Sequence, residues 1–121
     1  MGMTTAIATP RSRLPHHRLV AYEVALALLV AVRDAAIKDP KLRDQALRAA
    51  KSAALNIAEA AARVSPADRA RVFGIARGEA GEAAAAVEIA ATVGDASAQA
   101  SDQCEALADR LMALLTGLAR R

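Results

Sequence analysis

Two adjacent histidines, one cysteine, a short row of polar side chains and a set of arginines and lysines are the residues of this 121-residue chain that could do chemistry. His16 and His17 stand side by side ahead of the first helical pattern. No Glu-x-x-His pair follows on any helix, so the paired-metal chemistry of helical bundles has no ligand set here. Cys104 shares its helical face with no histidine and lies on an apolar seam, where a thiol is most simply a small hydrophobe. Gly74, Gly78 and Gly81 fall inside a helical pattern rather than before one, so they do not form a phosphate-cradling loop. These residues supply no catalytic group, no cofactor site and no metal site, and the expectation is a protein that is not an enzyme.

The polar row is Gln45, Arg48, Ser52, Asn56 and Glu59, with Gln45, Ser52 and Glu59 aligned by their seven-residue spacing. Two roles fit it. In the structural one, Asn56 and Glu59 hydrogen-bond to neighbouring helices or subunits and fix their register, with a Glu82 contact as a natural partner. In the other, the row is a ligand surface. The structural role is favoured, because a polar stripe on a bundle is usually satisfied internally or solvated. For phosphate the candidates are Lys41, Arg43, Arg48, Lys51, Arg63, Arg69 and Arg71, a basic face that a symmetric assembly would multiply. Tyr22 and Phe73, the aromatic residues, both read as core, so stacking on single-stranded bases is poorly supported.

Helices must position these residues. Hydrophobic residues make up 55% of the chain and aromatics only 2%, and alanine supplies the excess. Alanine loses no side-chain entropy in a helix but buries little apolar area, so the composition predicts an all-α fold with a core poor in bulk. Residues 1–15 carry Pro10 and Pro15 without periodicity and read as a flexible arm whose Arg11 and Arg13, with Arg18 beyond, are most simply solvated. The first helix is predicted over 16–38, with Leu19, Tyr22, Leu26, Leu29 and Ile37 at helical spacing and Val20, Val24, Leu28, Val30 and Val32 on its other faces. Asp39-Pro40 starts the second, 40–63, whose apolar arc (Leu42, Ala46, Ala49, Ala53, Ile57, Ala60, Val64) covers more than half its circumference. Ser65-Pro66 starts the third, 66–92, with a heptad seam at Phe73, Ala76, Ala80, Ala83, Val87 and Ala90. Its glycines cost about 1 kcal/mol each relative to alanine, which close approach of another backbone would offset. Ser97 caps the fourth, 97–119, with a seam at Ala100, Cys104, Leu107, Leu111, Leu114 and Leu118. Short links between helices of similar length predict an up-down-up-down four-helix bundle, residues 16–121, as one domain.

The net charge is +3, but its distribution is more informative. From Arg33 to Arg77 bases outnumber acids about two to one; from Glu79 to Asp109 there are only acids. A protomer polarised in this way suits head-to-tail association with its own copies or an anionic partner on one side. The over-wide apolar arcs of the first two helices point the same way. One cysteine fits a reducing compartment. No signal segment is evident, and the longest uncharged apolar run, Val24 to Val32, is about half of what a bilayer needs. The expectation is a cytoplasmic protein without a membrane partner.

The residues Gln45, Arg48, Ala49, Ser52, Asn56, Ile57, Ala58 and Glu59, then Arg63, Ser65, Asp68, Phe73, Ala76, Gly78 and Glu82, resemble the pattern of a bacterial four-helix-bundle family, the proteins encoded within intervening sequences of 23S ribosomal RNA genes. Tyr22-Glu23 and Ala25 are similar to that family's first helix, and the likeness runs in register from about residue 19 to 94. Ala60 and Glu79 depart from it, standing where the family has glycine and serine, and the stretch between Pro40 and Gln45 is shorter by about two turns. The resemblance implies no enzymatic activity and no cofactor. It implies instead a homo-oligomeric ring, a pentamer, acting as scaffold or adaptor. A related bundle is the accessory protein of diversity-generating retroelements, which associates with nucleic acid and a reverse transcriptase. The alternative is therefore an accessory protein that binds RNA or DNA, or another protein, through the basic face of helices 2 and 3. Gln45, Arg48, Ser52, Asn56, Glu59, Gly78 and Glu82 are the family-pattern residues to which the resemblance gives a structural role.

Overall fold

The computed structural model describes residues 14–121. A single 3₁₀ turn, Pro15–Arg18, leads into four α-helices: α1 (Val20–Asp34), α2 (Pro40–Ala62), α3 (Pro66–Thr92) and α4 (Ala98–Ala119). Each helix packs on its neighbours in the chain and α1 also packs on α4, while the diagonal pair α1 and α3 barely touch. The result is an all-α four-helix bundle in which sequence neighbours are spatial neighbours. The arm's arginines, Arg11 and Arg13, lie outside the described residues; Pro15 belongs to the folded part, as the first residue of the 3₁₀ turn.

The starts of α2, α3 and α4 are where the cap chemistry places them. Asp39, Ser65 and Ser97 are extended, and their side-chain oxygens accept from the backbone N–H groups of Leu42, Asp68 and Ala100 at 3.1, 3.3 and 3.0 Å. Pro40 and Pro66 take first positions, where no N–H is required. At the far end of α3, Gly94 is left-handed at φ +83°. Its N–H donates to the Ala91 carbonyl and that of Asp95 to the Ala90 carbonyl at 2.7 Å, the paired bonds of a Schellman ending.

The first helix departs from its predicted span of 16–38 at both ends. Leu19 is extended and separates the 3₁₀ turn from α1. At the other end Ala36 is left-handed at φ +48° and turns the chain out of the helix. That turn lets Ile37, 1% exposed, enter the core from the link, while the Lys38 N–H donates to the Asp95 carbonyl at 3.2 Å and joins the two links at that end. An L-residue in this conformation carries a cost that glycine avoids, partly offset by glycine's greater freedom when unfolded. Ala36→Gly is therefore expected to stabilise the protein by about 0.5 kcal/mol, read as a higher denaturant midpoint at unchanged slope.

The core is built mainly of alanines, with Phe73, Leu28, Ile37, Ile57, Leu111 and Leu115 as its large, fully buried side chains. The α3 seam is buried as its heptad spacing requires: Phe73, Ala76, Ala80, Ala83, Val87 and Ala90 are all at 0–1% exposure. In α4 the inward line is Cys104, Ala108, Leu111 and Leu115, with Leu107, Leu114 and Leu118 at its edge. In α1 the inward face is Ala21, Val24, Ala25, Leu28, Ala31 and Val32. Leu26 and Val30 point outward, and Leu19, Tyr22 and Leu29 are half-buried at the margin, which corrects the predicted stripe. The wide arc of α2 is consumed inside the protomer, since Ala46, Ala49, Ala50, Ala53, Ala54, Ile57 and Ala60 are buried between α1 and α3. Val64, predicted to extend that arc, lies beyond the helix end and is 94% exposed.

Candidate interaction surface

Four-residue and seven-residue steps along α2 carry the polar row to the side that meets α3. Arg48 reaches across: its guanidinium lies 2.8 Å from Glu82 and 3.7 Å from Glu79. Glu82 thus makes the expected contact to α2, and Glu79, at the position where the family pattern differs, adds a second carboxylate. Asn56 is satisfied within its own helix, donating from Nδ2 to the Ser52 carbonyl at 2.9 Å and to Ser52 Oγ at 3.0 Å. It does not fix register with another helix of the protomer, because the preceding turn already offers two acceptors. Glu59 likewise accepts from Arg63 four residues on, at 2.6 Å. Gln45 is exposed.

Arg63 extends that pair into a chain across the α2–α3 link. It lies 3.2 Å from Asp68, which accepts in turn from Arg71 at 2.9 Å. The hydrogen bond from Arg71 holds the Asp68 carboxyl below its ordinary value against the opposing effect of burial, helped by the nearby charges of Arg63 and Arg71. Arg63 is held above its ordinary value by its bond to Glu59 and by Asp68. A carboxylate held low contributes its stability above the unfolded value and loses it as pH falls through the folded one, so this link loosens only in acid. These pairs are exposed and close the α2–α3 corner with little net energy.

The basic candidates consequently fall into two groups. Arg48, Arg63 and Arg71 are engaged with carboxylates, and Arg43 donates to the Ile37 carbonyl at 3.3 Å. Lys41, Lys51 and Arg69 are exposed and make no ion pair among the described residues. The helix 2 and 3 face is a lattice of ion pairs with three cations left over, not a continuous phosphate track.

The histidines lie at the 3₁₀ turn and the cysteine in the α4 seam, and His17 Nδ1 is buried without a hydrogen-bond partner among the described residues. His16 packs its ring on His17 and edge-on against Tyr22, at centroid distances of 4.2 and 4.5 Å. Partial burial, with the charge of His17, pushes His16 below its ordinary value. Cys104 is fully buried, and burial pushes its thiol up, away from the reactive thiolate. Among the described residues no group of histidine, cysteine and carboxylate side chains could hold a metal ion, and no helix is long and apolar enough to cross a membrane.

The glycines correct a prediction. Beyond the glycines' own stretch of helix, no atom of the described residues lies within 4 Å of the Cβ position of Gly74 or Gly78, and Gly81 meets only the flexible end of Met112 at 3.7 Å. Nothing in the protomer's packing therefore requires a glycine at 74 or 78. Gly78→Ala is expected to raise stability by about 1 kcal/mol from helix propensity alone, checked by denaturation at fixed protein concentration.

Two surface features were not singled out in the sequence. Large apolar side chains point outward on three helices: Leu26 and Val30 on α1, Leu55 on α2 and Ile75 and Ile89 on α3, the most open being Leu55 at 70% and Ile89 at 55%. Between α3 and α4 runs a groove of about 240 Å³, floored by Gly81, Ala84, Ala85, Ala108 and Met112 and rimmed by Glu88, Glu105 and Asp109. The acidic run from Glu79 to Asp109 held the signal for the rim, since Glu105 and Asp109 are four apart on one face. Pairing that face with Glu88 required knowing how the helices pack.

The sequence model of the 23S rRNA-intervening sequence protein family matches residues 18–117, from the 3₁₀ turn almost to the end of α4. No curated protein matches the chain.

Proposed function

The chain belongs to the 23S rRNA-intervening sequence protein family, and we propose that it acts there as a non-catalytic, homo-oligomeric scaffold or adaptor. The observation that carries this reading is the set of outward-facing aliphatic side chains, Leu26, Val30, Leu55, Ile75 and Ile89, on a bundle whose own core is mostly alanine. Single exposed aliphatics are ordinary, but here they stand on three of the four helices of a protomer that buries little bulk inside. Association with further copies would supply the burial the protomer lacks. A closed ring fits a protomer with unlike faces, and the resemblance to the family supports a ring of five. The experiment is sedimentation velocity on the native chain and on Leu26→Glu, Leu55→Glu and Ile89→Glu. At least one substitution is expected to shift the native species toward the protomer without loss of helical signal. If none does, the apolar faces do not carry association and the reading falls.

A second reading, an accessory protein that contacts RNA or DNA, draws on Lys41, Lys51 and Arg69, the candidate cations of that face that make neither an ion pair nor a side-chain hydrogen bond among the described residues. Repetition around a ring would multiply them. Titration with duplex DNA and RNA tests it: binding that weakens with salt and is lost in Lys41→Glu/Arg69→Glu supports it, and no salt-dependent binding removes it.

A further inference from the structure

We propose that the contact between copies is head-to-tail, with the Leu47–Lys51–Leu55 stripe of α2 in one copy seated in the acid-rimmed groove between α3 and α4 of the next. The assignment rests on the self-association proposed above and names the surfaces that carry it.

The two surfaces lie on different sides of the molecule. Because α2 packs on α1 and α3, and α4 packs on α3 and α1, the groove between α3 and α4 opens away from the outer face of α2. Unlike patches on different sides of one protomer make a heterologous contact, which repeats from copy to copy and closes when the rotation allows.

Their chemistry is complementary. Leu47, Lys51 and Leu55 recur every four residues and form one stripe along α2. Leu55 is 70% exposed, and Lys51 has no carboxylate partner among the described residues. Asp44 and Arg48 border the stripe; Arg48 is already held by Glu82 and Glu79, and Lys41 and Arg43 flank Asp44. The groove offers an apolar floor whose small side chains leave room for a leucine. Around it Glu88, Glu105 and Asp109 make no ion pair among the described residues, so three carboxylates face one another across an apolar trough with no cation between them. Seating Leu55 on the floor would bring the Lys51 ammonium to that rim. Glu79 and Glu82, the other acids of that helix nearest the groove, are engaged by Arg48 on the α2 side and do not compete for it.

Charge reversal tests the pairing. Lys51→Glu would place a fourth carboxylate among three, and Glu105→Lys/Asp109→Lys would turn the rim against Lys51. Each is expected to raise the dissociation constant of the assembly on the order of 100-fold at low salt, while the chain that carries all three changes recovers to within about tenfold of native. The affected side chains are exposed, so unchanged helical signal and melting of the dissociated protomer certify that folding is intact. A native assembly whose mass survives both reversals overturns this interface and leaves self-association standing, with the groove open to some other protein. Dissociation in both single-face variants without recovery in the combined chain also overturns it. A native chain that is monomeric overturns the association reading itself and this assignment with it.

Discussion

Phe73→Ala is expected to cost about 3–5 kcal/mol, a large part of the 5–15 kcal/mol that holds a domain of this kind together. Phe73 is 1% exposed and is the single phenylalanine of the chain, set in a core otherwise made largely of alanine. Large-to-small substitutions are cheapest where neighbours can collapse into the space. Here most of the buried core is alanine, whose methyl groups have no rotamers with which to follow. The cost should therefore fall toward the upper end. Denaturation of native and variant protein at equal concentration measures it, as a fall in midpoint with the slope retained. A loss below about 1 kcal/mol would mean that the core does not depend on its few large members.

Ile37→Ala is expected to cost about 2–4 kcal/mol, although the residue belongs to a link rather than a helix. The left-handed turn at Ala36 drives Ile37 into the core, and the surrounding link is tied down on both sides. The Ile37 carbonyl accepts from Arg43, and the Lys38 N–H donates to Asp95 of the opposite link. With the side chain removed, that end of the bundle loses its plug while its backbone stays pinned, so the cavity persists. Leu26→Ala serves as the contrast: Leu26 is 40% exposed, and its truncation should cost well under 1 kcal/mol in the dissociated protomer. Equal costs at the two positions would contradict the inward face assigned to α1.

Local chemistry accounts for most of what could be read from the sequence. Asp39-Pro40, Ser65-Pro66 and Ser97 set the starts of three helices, because a cap and a proline act within one turn of chain. The α3 seam was equally plain, being a heptad of small residues around one phenylalanine. The orientation of α1 was not. A helix that is apolar most of the way round has no single preferred face, and the choice of Leu28 over Leu26 was made by α2 and α4, on which α1 packs. The same holds at the surface. Arg48 is the family-pattern residue that reads most like a phosphate ligand, yet it meets Glu82 thirty-four positions away, a pairing that only helix packing creates. Conversely, the sequence points Asn56 to a neighbouring helix or subunit, and within the protomer its acceptors lie one turn back, at Ser52. The glycines of α3 suggest points of close approach to another backbone, and the protomer leaves both Gly74 and Gly78 open.

The stretch from Gln45 to Glu59 thus joins α2 to its neighbours through its alanines and to α3 through Arg48, and it turns Leu55 and Lys51 outward. That the chain associates with further copies is the central claim, and the mass of the native particle tests it most directly. Static light scattering on the folded chain at micromolar concentration is expected to give a constant whole-number multiple of the 12.5 kDa protomer across dilution. A particle of 12.5 kDa with full helical signal would contradict the account.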